Sequence, residues 1–568
     1  MSTIIGKYGN QIPTEGFGES NELKVFNSLP QIDEAFLVKY LTENCDETIT
    51  SQTQFPDPFL FKGMKEAVNI FLWAVRNQKR ILCVSDSDCD GVGTFMVFTE
   101  FFKHFNYTNV EFIIVKRTEG YGFIPKNITD RQIKPDLVIT ADNGITANIA
   151  VDLCNQMGIY TIITDHHQPG HKGVPNATAV IDPHQPGCPF PYKNINGTFV
   201  VWYFFKAIAN TMQLSFRDFW FEMMIAELTL TTISDVMPLR NINRYIVKYG
   251  LQRFFWSERA WVKVFTEGKR ELLAEDLSFG LIPAINAAAR LADAIDAANY
   301  LFSPNYGIAK QWLSYLQNLN ENRKQRQEAL DTEISTNYAP WLEQSFIIIP
   351  GQGERFHKGI LGPCSGRIAE KFNKPSIVMT LSHDGSYYSG SGRSVGEINL
   401  LGIVKSSSCI NLDKSGGHNA ACGVTVPREK FEQFWMDVQC ATRDIPKEAY
   451  RPKIEAIGKL PINKVSAELY LLIKNFEPFG EGYQKPAFVA EGIFKEVKLI
   501  GKLKNHMKGF IEDGFGSRVP FMWFFFNTQI KSGEQRKFLF QIAKDDFASE
   551  KTKELEICIH VKSIISNI

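Results

Sequence analysis

The sequence predicts an α/β protein in three parts: a domain on a mostly parallel sheet, a smaller α/β unit after it, and an OB-like β-barrel at the C-terminal end. Three patterns carry this reading. Over 56–240, short β-branched runs alternate with helical periodicity, as expected of strands joined by crossover helices. The alternation returns, shorter, within 338–445. Over 463–568, short β runs alternate with Gly and Asp turns and little helical periodicity follows Lys474, which fits a small barrel.

Taken in order, residues 1–55 hold one helical stretch, 31–43, and read as an N-terminal extension. In the first domain, 56–304, apolar runs at 81–85, 111–115, 136–141, 160–164 and 179–181 have strand length, and the amphipathic stretches 63–76 and 93–105 read as helices. Between 305 and 337 apolar residues keep helical spacing at Ala309, Trp312, Leu313, Leu316 and Leu319, while 320–327 is charged and polar. That combination predicts a solvated helix bridging two domains. The second α/β unit, 338–445, has candidate strands near 345–350, 376–380 and 387–391. Pro and Lys gather in 446–462, which predicts a linker before the barrel at 463–568.

A chain of 568 residues is too long for one hydrophobic core. Lys and Arg total 62, as do Asp and Glu, so no global basicity marks nucleic acid and any such contact relies on local patches. Ten cysteines without a CxxC pair argue for reduced thiols over a disulfide framework or structural zinc. The opening residues lack a signal-peptide layout, and the apolar run 199–205 is far too short for a bilayer. A cytoplasmic protein without membrane contact is expected.

Chemistry concentrates at strand ends. Asp86-Ser-Asp88-Cys-Asp90-Gly91 follows the run 81–85, and three carboxylates so close repel one another unless protons or a cation offset them. Oxygen ligands of this kind suit Mg²⁺ or Mn²⁺. An EF-hand also opens Asp-x-Asp-x-Asp-Gly, but its twelfth residue must be Glu, and here it is Val97 after a β-like run. Further acids end later elements: Asp142-Asn-Gly144, Asp165-His166-His167, and Ser234-Asp235. One such Asp is more often a helix cap or turn former. Recurrence after successive strands, where parallel sheets gather ligands, favours a shared cation site.

These motifs, in this order, resemble the four of the DHH phosphoesterase superfamily. The chain is further similar to its RecJ branch of single-strand-specific exonucleases, through 57–64, 119–122, 182–191, 286–291 and 319–324. His357-Lys-Gly-Ile-Leu-Gly362 with Arg367, Ser389-Gly-Ser-Gly-Arg-Ser394 and Gly416-Gly-His418 resemble a DHHA1 domain, and 476–482 resembles the entry to an OB domain. The resemblance implies that Asp88, Asp90, Asp142, His166 and Asp235 bind two Mn²⁺ or Mg²⁺ ions. Paired cations suit phosphodiester hydrolysis on physical grounds too, because they clamp the ester and activate water. His167 would contact the scissile phosphate, Asp165 would orient the imidazoles, and Asp86 either joins the cluster or supports it. Lys116, Tyr121, Asn286, Arg290, His357, Arg367, Ser391, Arg393, Ser394, Gly416, Gly417 and His418 would hold nucleic acid or its phosphates. In the barrel, 502–508 and 521–526 interleave cations and aromatics, which suits single strands, although part of the aromatic run reads equally as core.

The pattern departs from the family at Ile282-Pro-Ala284-Ile-Asn-Ala-Ala-Ala289-Arg290. An Arg stands in the family where this chain has Ala284, and Lys116 replaces a common Arg. Alanine cannot act as a bidentate phosphate donor, so grip on a 5′ end either passes to Lys116, Arg117 or Arg290 or is weakened. The resemblance implies 5′→3′ hydrolysis of single-stranded DNA to mononucleotides in recombination and repair, by a monomer served by a helicase and a single-strand-binding protein. The alternatives are a DHH phosphodiesterase of short oligoribonucleotides or cyclic dinucleotides, and an inactive DHH scaffold in replication.

Overall fold

The computed structural model describes residues 3–6, 26, 28–116, 120, 122–412, 415–450, 453–501, 504–526 and 528–567. The chain forms two compact units. One contains 46–326 and 478–483; the other contains 1–45, 327–477 and 484–568.

Strands are numbered in chain order from β1 (Thr3–Gly6), which belongs to the second unit. The first unit is built on β2 (Ile81–Ser85), β3 (Val110–Ile114), β4 (Leu137–Ala141), β5 (Tyr160–Thr164) and β6 (Ala179–Ile181). They pair in parallel in the order β3-β2-β4-β5-β6. Every residue of β2 and β4 is buried. Ile81 and Cys83 join one core cluster and Leu82 and Val84 another, so the sheet is covered on both faces. That double burial explains why these strands read as unbroken apolar runs. The larger core carries stacked and edge-on aromatic rings, including Phe71, Phe101, Phe205 and Trp220. The sheet order reverses between β2 and β4. A doubly wound sheet opens a crevice at the carboxyl ends of strands flanking such a point.

The Tyr306–Asn337 helix follows the expected 305–337 and carries the chain from the first unit into the second. Its stretch 320–327 is largely exposed, but Asn320 and Gln327 are buried, extending the stripe of Ala309, Leu313, Leu316 and Leu330.

In the second unit β7 (Ile347–Gly351), β8 (Ser376–Leu381), β9 (Tyr387–Arg393), β10 (Gly416–His418) and β11 (Ala421–Pro427) form a sheet ordered β10-β11-β9-β8-β7. Only β7 and β8 pair in parallel; the rest is antiparallel. The stretch expected as a linker, 446–462, contains a strand instead, β12 (Lys453–Lys459), which pairs with β1 and with β13 (Ala487–Ile500). The remaining strands are β14 (His506–Glu512), β15 (Arg518–Phe524), β16 (Gln535–Lys544) and β17 (Ile557–Asn567). β13-β14-β15-β17-β16 closes through β13–β16 pairing into a five-stranded barrel. Phe521 and Trp523 point into it at 2% exposure, whereas Phe524 and Phe525 are 46% and 72% exposed. Among the described residues no helix is long and apolar enough to cross a membrane.

Candidate metal centre

The acids after β2 are placed by the helix that starts there. Asp88 caps the Cys89–Phe105 helix, its Oδ1 accepting the N–H groups of Asp90 at 3.1 Å and Gly91 at 3.2 Å. Asp90 lies inside the first turn. Its Oδ2 accepts the Gly197 N–H at 2.7 Å, and its Oδ1 accepts the Thr198 N–H at 3.1 Å and hydroxyl at 2.7 Å. Those donors open the Gly197–Thr211 helix, so the carboxylate sits on the positive end of a helix. A Cβ on Gly197 would stand 2.6 Å from Asp142 Cβ, so only glycine lets this helix end reach the pocket.

Asp142 follows β4 with φ 58, a left-handed conformation Asp tolerates better than most residues. Asn143 pins that turn by donating to the carbonyls of Val84 at 3.1 Å and Ala141 at 2.8 Å. Asp235 caps the C-terminal end of the Trp220–Ser234 helix. His166, just past β5, stands among these acids: its Nε2 is 3.1 Å from Asp142 Oδ1, 3.5 Å from Asp235 Oδ2 and 3.9 Å from Asp90 Oδ2. Ligand atoms of three sets lie within 4.8 Å of one another: Asp90, His166 and Asp235; Asp142, His166 and His167; Asp86, Asp88 and Asp142. The sets share His166 and Asp142, an arrangement able to seat two cations with common ligands.

Asp165 is differently engaged. Its Oδ1 accepts from the backbone N–H of His166 at 2.7 Å and His167 at 3.2 Å and from His167 Nδ1 at 2.7 Å, while Oδ2 accepts the Ile145 N–H at 2.9 Å. It fixes the His167 imidazole and the backbone of both histidines.

Burial pushes Asp90 up to about 7 against the Thr198 hydroxyl, with the Asp88 charge adding to the rise. Burial, then the charges of Asp90 and Asp88, raise Asp142 and Asp235 well above the usual carboxylate range. Asp165 resists its own burial, because the His167 charge and hydrogen bond hold it down to about 2. Burial opposes His167 protonation, but Asp165 lifts it to about 10. Among the described residues, nothing donates a hydrogen bond to buried Asp142 Oδ1 or Asp235 Oδ2. Repelling, desolvated carboxylates with unsatisfied oxygens fit divalent cations, and this mixture of oxygen and imidazole donors is compatible with Mn²⁺ or Mg²⁺.

Other predicted residues lie elsewhere in the first unit or in the second. Asn286 Oδ1 accepts the Cys89 N–H at 2.9 Å, bracing the turn of Asp88. Lys116 Nζ pairs with Asp293 at 3.0 Å, and Arg290 is half-buried in the last turn of the Ile282–Leu291 helix. Ala284 on that helix is fully buried. Tyr121 and the His418 side chain lie outside the described residues. In the second unit, Arg393 donates to Ser391 Oγ at 3.1 Å, and both groups flank Gly362 near the start of the Lys358–Phe372 helix. His357 caps that helix, Arg367 pairs with Asp331 at 2.8 Å, and Ser394 donates to the Ile398 carbonyl at 2.6 Å. Gly416 and Gly417 lie exposed on β10. Sequence reasoning missed Gly197, Thr198 and Asn143. Asn196-Gly-Thr is readable as a helix start, but nothing local says that its donors meet Asp90.

Family models match three segments: the DHH family N-terminal domain over residues 80–233, the DHHA1 domain over 343–440, and the RecJ OB domain over 458–558. Fold and matches together define a DHH–DHHA1 protein. A single-stranded-DNA-specific exonuclease RecJ of Salmonella typhimurium is 29% identical over 476 residues, covering 79% of this chain and 81% of its own. The RecJ of Haemophilus influenzae is 26% identical over 568 residues, covering 94% and 97%. The crystal structure of Thermus thermophilus RecJ with Mn²⁺ has TM-score 0.76 at 22% identity, covering 94% of this chain and 75% of that one. The chain belongs to the RecJ family.

Proposed function

We propose that the protein is a Mn²⁺- or Mg²⁺-dependent exonuclease that hydrolyses single-stranded DNA from the 5′ end to mononucleotides. The observation that carries this is the convergence of Asp88, Asp90, Asp142, His166 and Asp235 at the sheet's reversal point. RecJ relatives named for single-stranded-DNA exonuclease activity and the matched OB domain support the substrate class.

In this reading those five residues hold two cations, and Asp86 lies close enough to help. When bound, the pair supplies charge for the phosphodiester and lowers the pKa of water. Asp165 fixes the His167 imidazole and the backbone that carries His166. Because His167 Nδ1 is committed to Asp165, its contact with a phosphoryl oxygen would run through Nε2, and the raised pKa keeps that ring a donor. The positive end of the Gly197–Thr211 helix holds Asp90 in one orientation. Ser391 and Arg393 would meet the DNA backbone, and exposed Phe524 and Phe525 would stack on bases. We place the enzyme in recombination and repair, acting as a monomer in the cytoplasm on strands exposed by a helicase or covered by a single-strand-binding protein.

The test is digestion of strands labelled at either end, with and without a 5′-phosphate, in Mn²⁺. Early release of labelled mononucleotide from the 5′ end, abolished by Asp88→Ala, is expected. Cleavage starting inside the strand or at the 3′ end overturns the assignment.

A further inference from the structure

The turn that follows Asp235 is held from far away in the chain. Val236 adopts φ 52 with its side chain 63% exposed, a conformation that a β-branched residue keeps only when its surroundings impose it. The residues after it are gripped by 478–483, Pro-Phe-Gly-Glu-Gly-Tyr, a hexapeptide that packs in the metal-site unit although the chain on both sides of it belongs to the other unit. Three of its carbonyls accept hydrogen bonds there: Glu481 from the Leu239 N–H at 2.7 Å, Gly482 from Arg240 Nε at 3.0 Å, and Pro478 from Arg244 at 2.8 Å. The Arg244 guanidinium, 1% exposed, lies 4.6 Å from the Tyr483 ring centroid and pairs with Glu47 at 3.2 Å. The hexapeptide closes on itself through the Gly480 N–H and the Tyr483 carbonyl at 3.0 Å. Gly482 has φ 71, and a Cβ there would stand 3.1 Å from Pro238 Cβ.

We propose that 478–483 is a latch that positions Asp235, setting where its carboxylate enters the metal centre. The inference rests on the reading of Asp235 as a metal ligand. Its contacts with 239, 240 and 244 fall just past that carboxylate, on a turn whose backbone conformation is unfavourable by itself. Misplacing a metal-site group by about 1 Å can cost on the order of 100-fold in rate.

The experiment measures Mn²⁺ affinity by calorimetry, kcat and KM on single-stranded DNA, and the melting temperature of the metal-free protein. Gly482→Ala introduces a side chain at positive φ against Pro238, and Arg240→Gln removes an exposed donor to the latch. Each is expected to weaken Mn²⁺ binding and kcat by about 10-fold, leaving KM within about 2-fold and the metal-free melting temperature near wild type. Wild-type Mn²⁺ affinity and kcat in folded Arg240→Gln overturn the latch, and Arg240→Gln alone decides if Gly482→Ala does not fold. Asp235→Asn separates the two claims: unchanged Mn²⁺ affinity there refutes the ligand reading itself, whereas its loss beside unaffected latch variants refutes only the latch.

Discussion

Loading the pocket with Mn²⁺ at pH 6 should expel protons. Asp90 is pushed up to about 7 from 3.8, so at pH 6 it is about nine-tenths protonated, and burial raises Asp142 and Asp235 in the same direction. A cation that needs these oxygens as carboxylates must displace about one to three protons per protein. The sign for stability follows. Between about pH 4 and 7 the folded Asp90 keeps a proton that the unfolded chain has lost, so metal-free stability falls as pH rises through that window. At 1.36 kcal/mol per unit, a shift from 3.8 to about 7 is worth at most about 4 kcal/mol. Melting of the metal-free protein should therefore drop from pH 5 to 8, and Mn²⁺ should offset the loss. Calorimetry at pH 6 in buffers of different protonation enthalpy counts the protons directly. Asp90→Asn should lower the count by about one, and raising the pH to 8 should lower it too. Identical heats in every buffer at pH 6 would refute the charge argument for this pocket.

Asp165→Ala removes the acceptor that orients the His167 ring and holds the His166 backbone, and kcat should fall by about 10- to 100-fold in steady-state assays with DNA binding little changed. Ala284→Arg, which restores the family residue, should not recover 5′-phosphate preference: the site is fully buried, and an unpaired guanidinium there should cost roughly 3 kcal/mol or more in denaturant unfolding. In the barrel, Trp523→Ala should lose about 3–5 kcal/mol through its cavity. Phe525→Ala should stay within about 0.5 kcal/mol of wild-type stability yet weaken single-strand binding by about 1–3 kcal/mol in fluorescence titrations.

Much of the first sheet was legible because its central strands, β2 and β4, are buried on both faces. β2, β5 and β6 begin and end where the apolar runs 81–85, 160–164 and 179–181 do, and β3 differs by one residue at each end. The acids were legible for a related reason: a carboxyl after an apolar run stands at a strand end, and recurrence marks a shared crevice. β12 was not, since its Pro- and Lys-rich context hides a strand whose pairing comes from distant β1 and β13. The support for Asp90 was equally hidden, because Thr198 lies 108 residues away and local pattern carries no such pairing. Nor does spacing reveal that Ala284 is fully buried on its helix.

The reversal of strand order between β2 and β4 has a consequence for how ions come and go. Turns that start from paired, doubly covered strands stand in place before any cation arrives, so little chain ordering is needed on loading. Mg²⁺ and Mn²⁺ would then compete for one set of ligands, and ligand type as well as supply would set which one is resident.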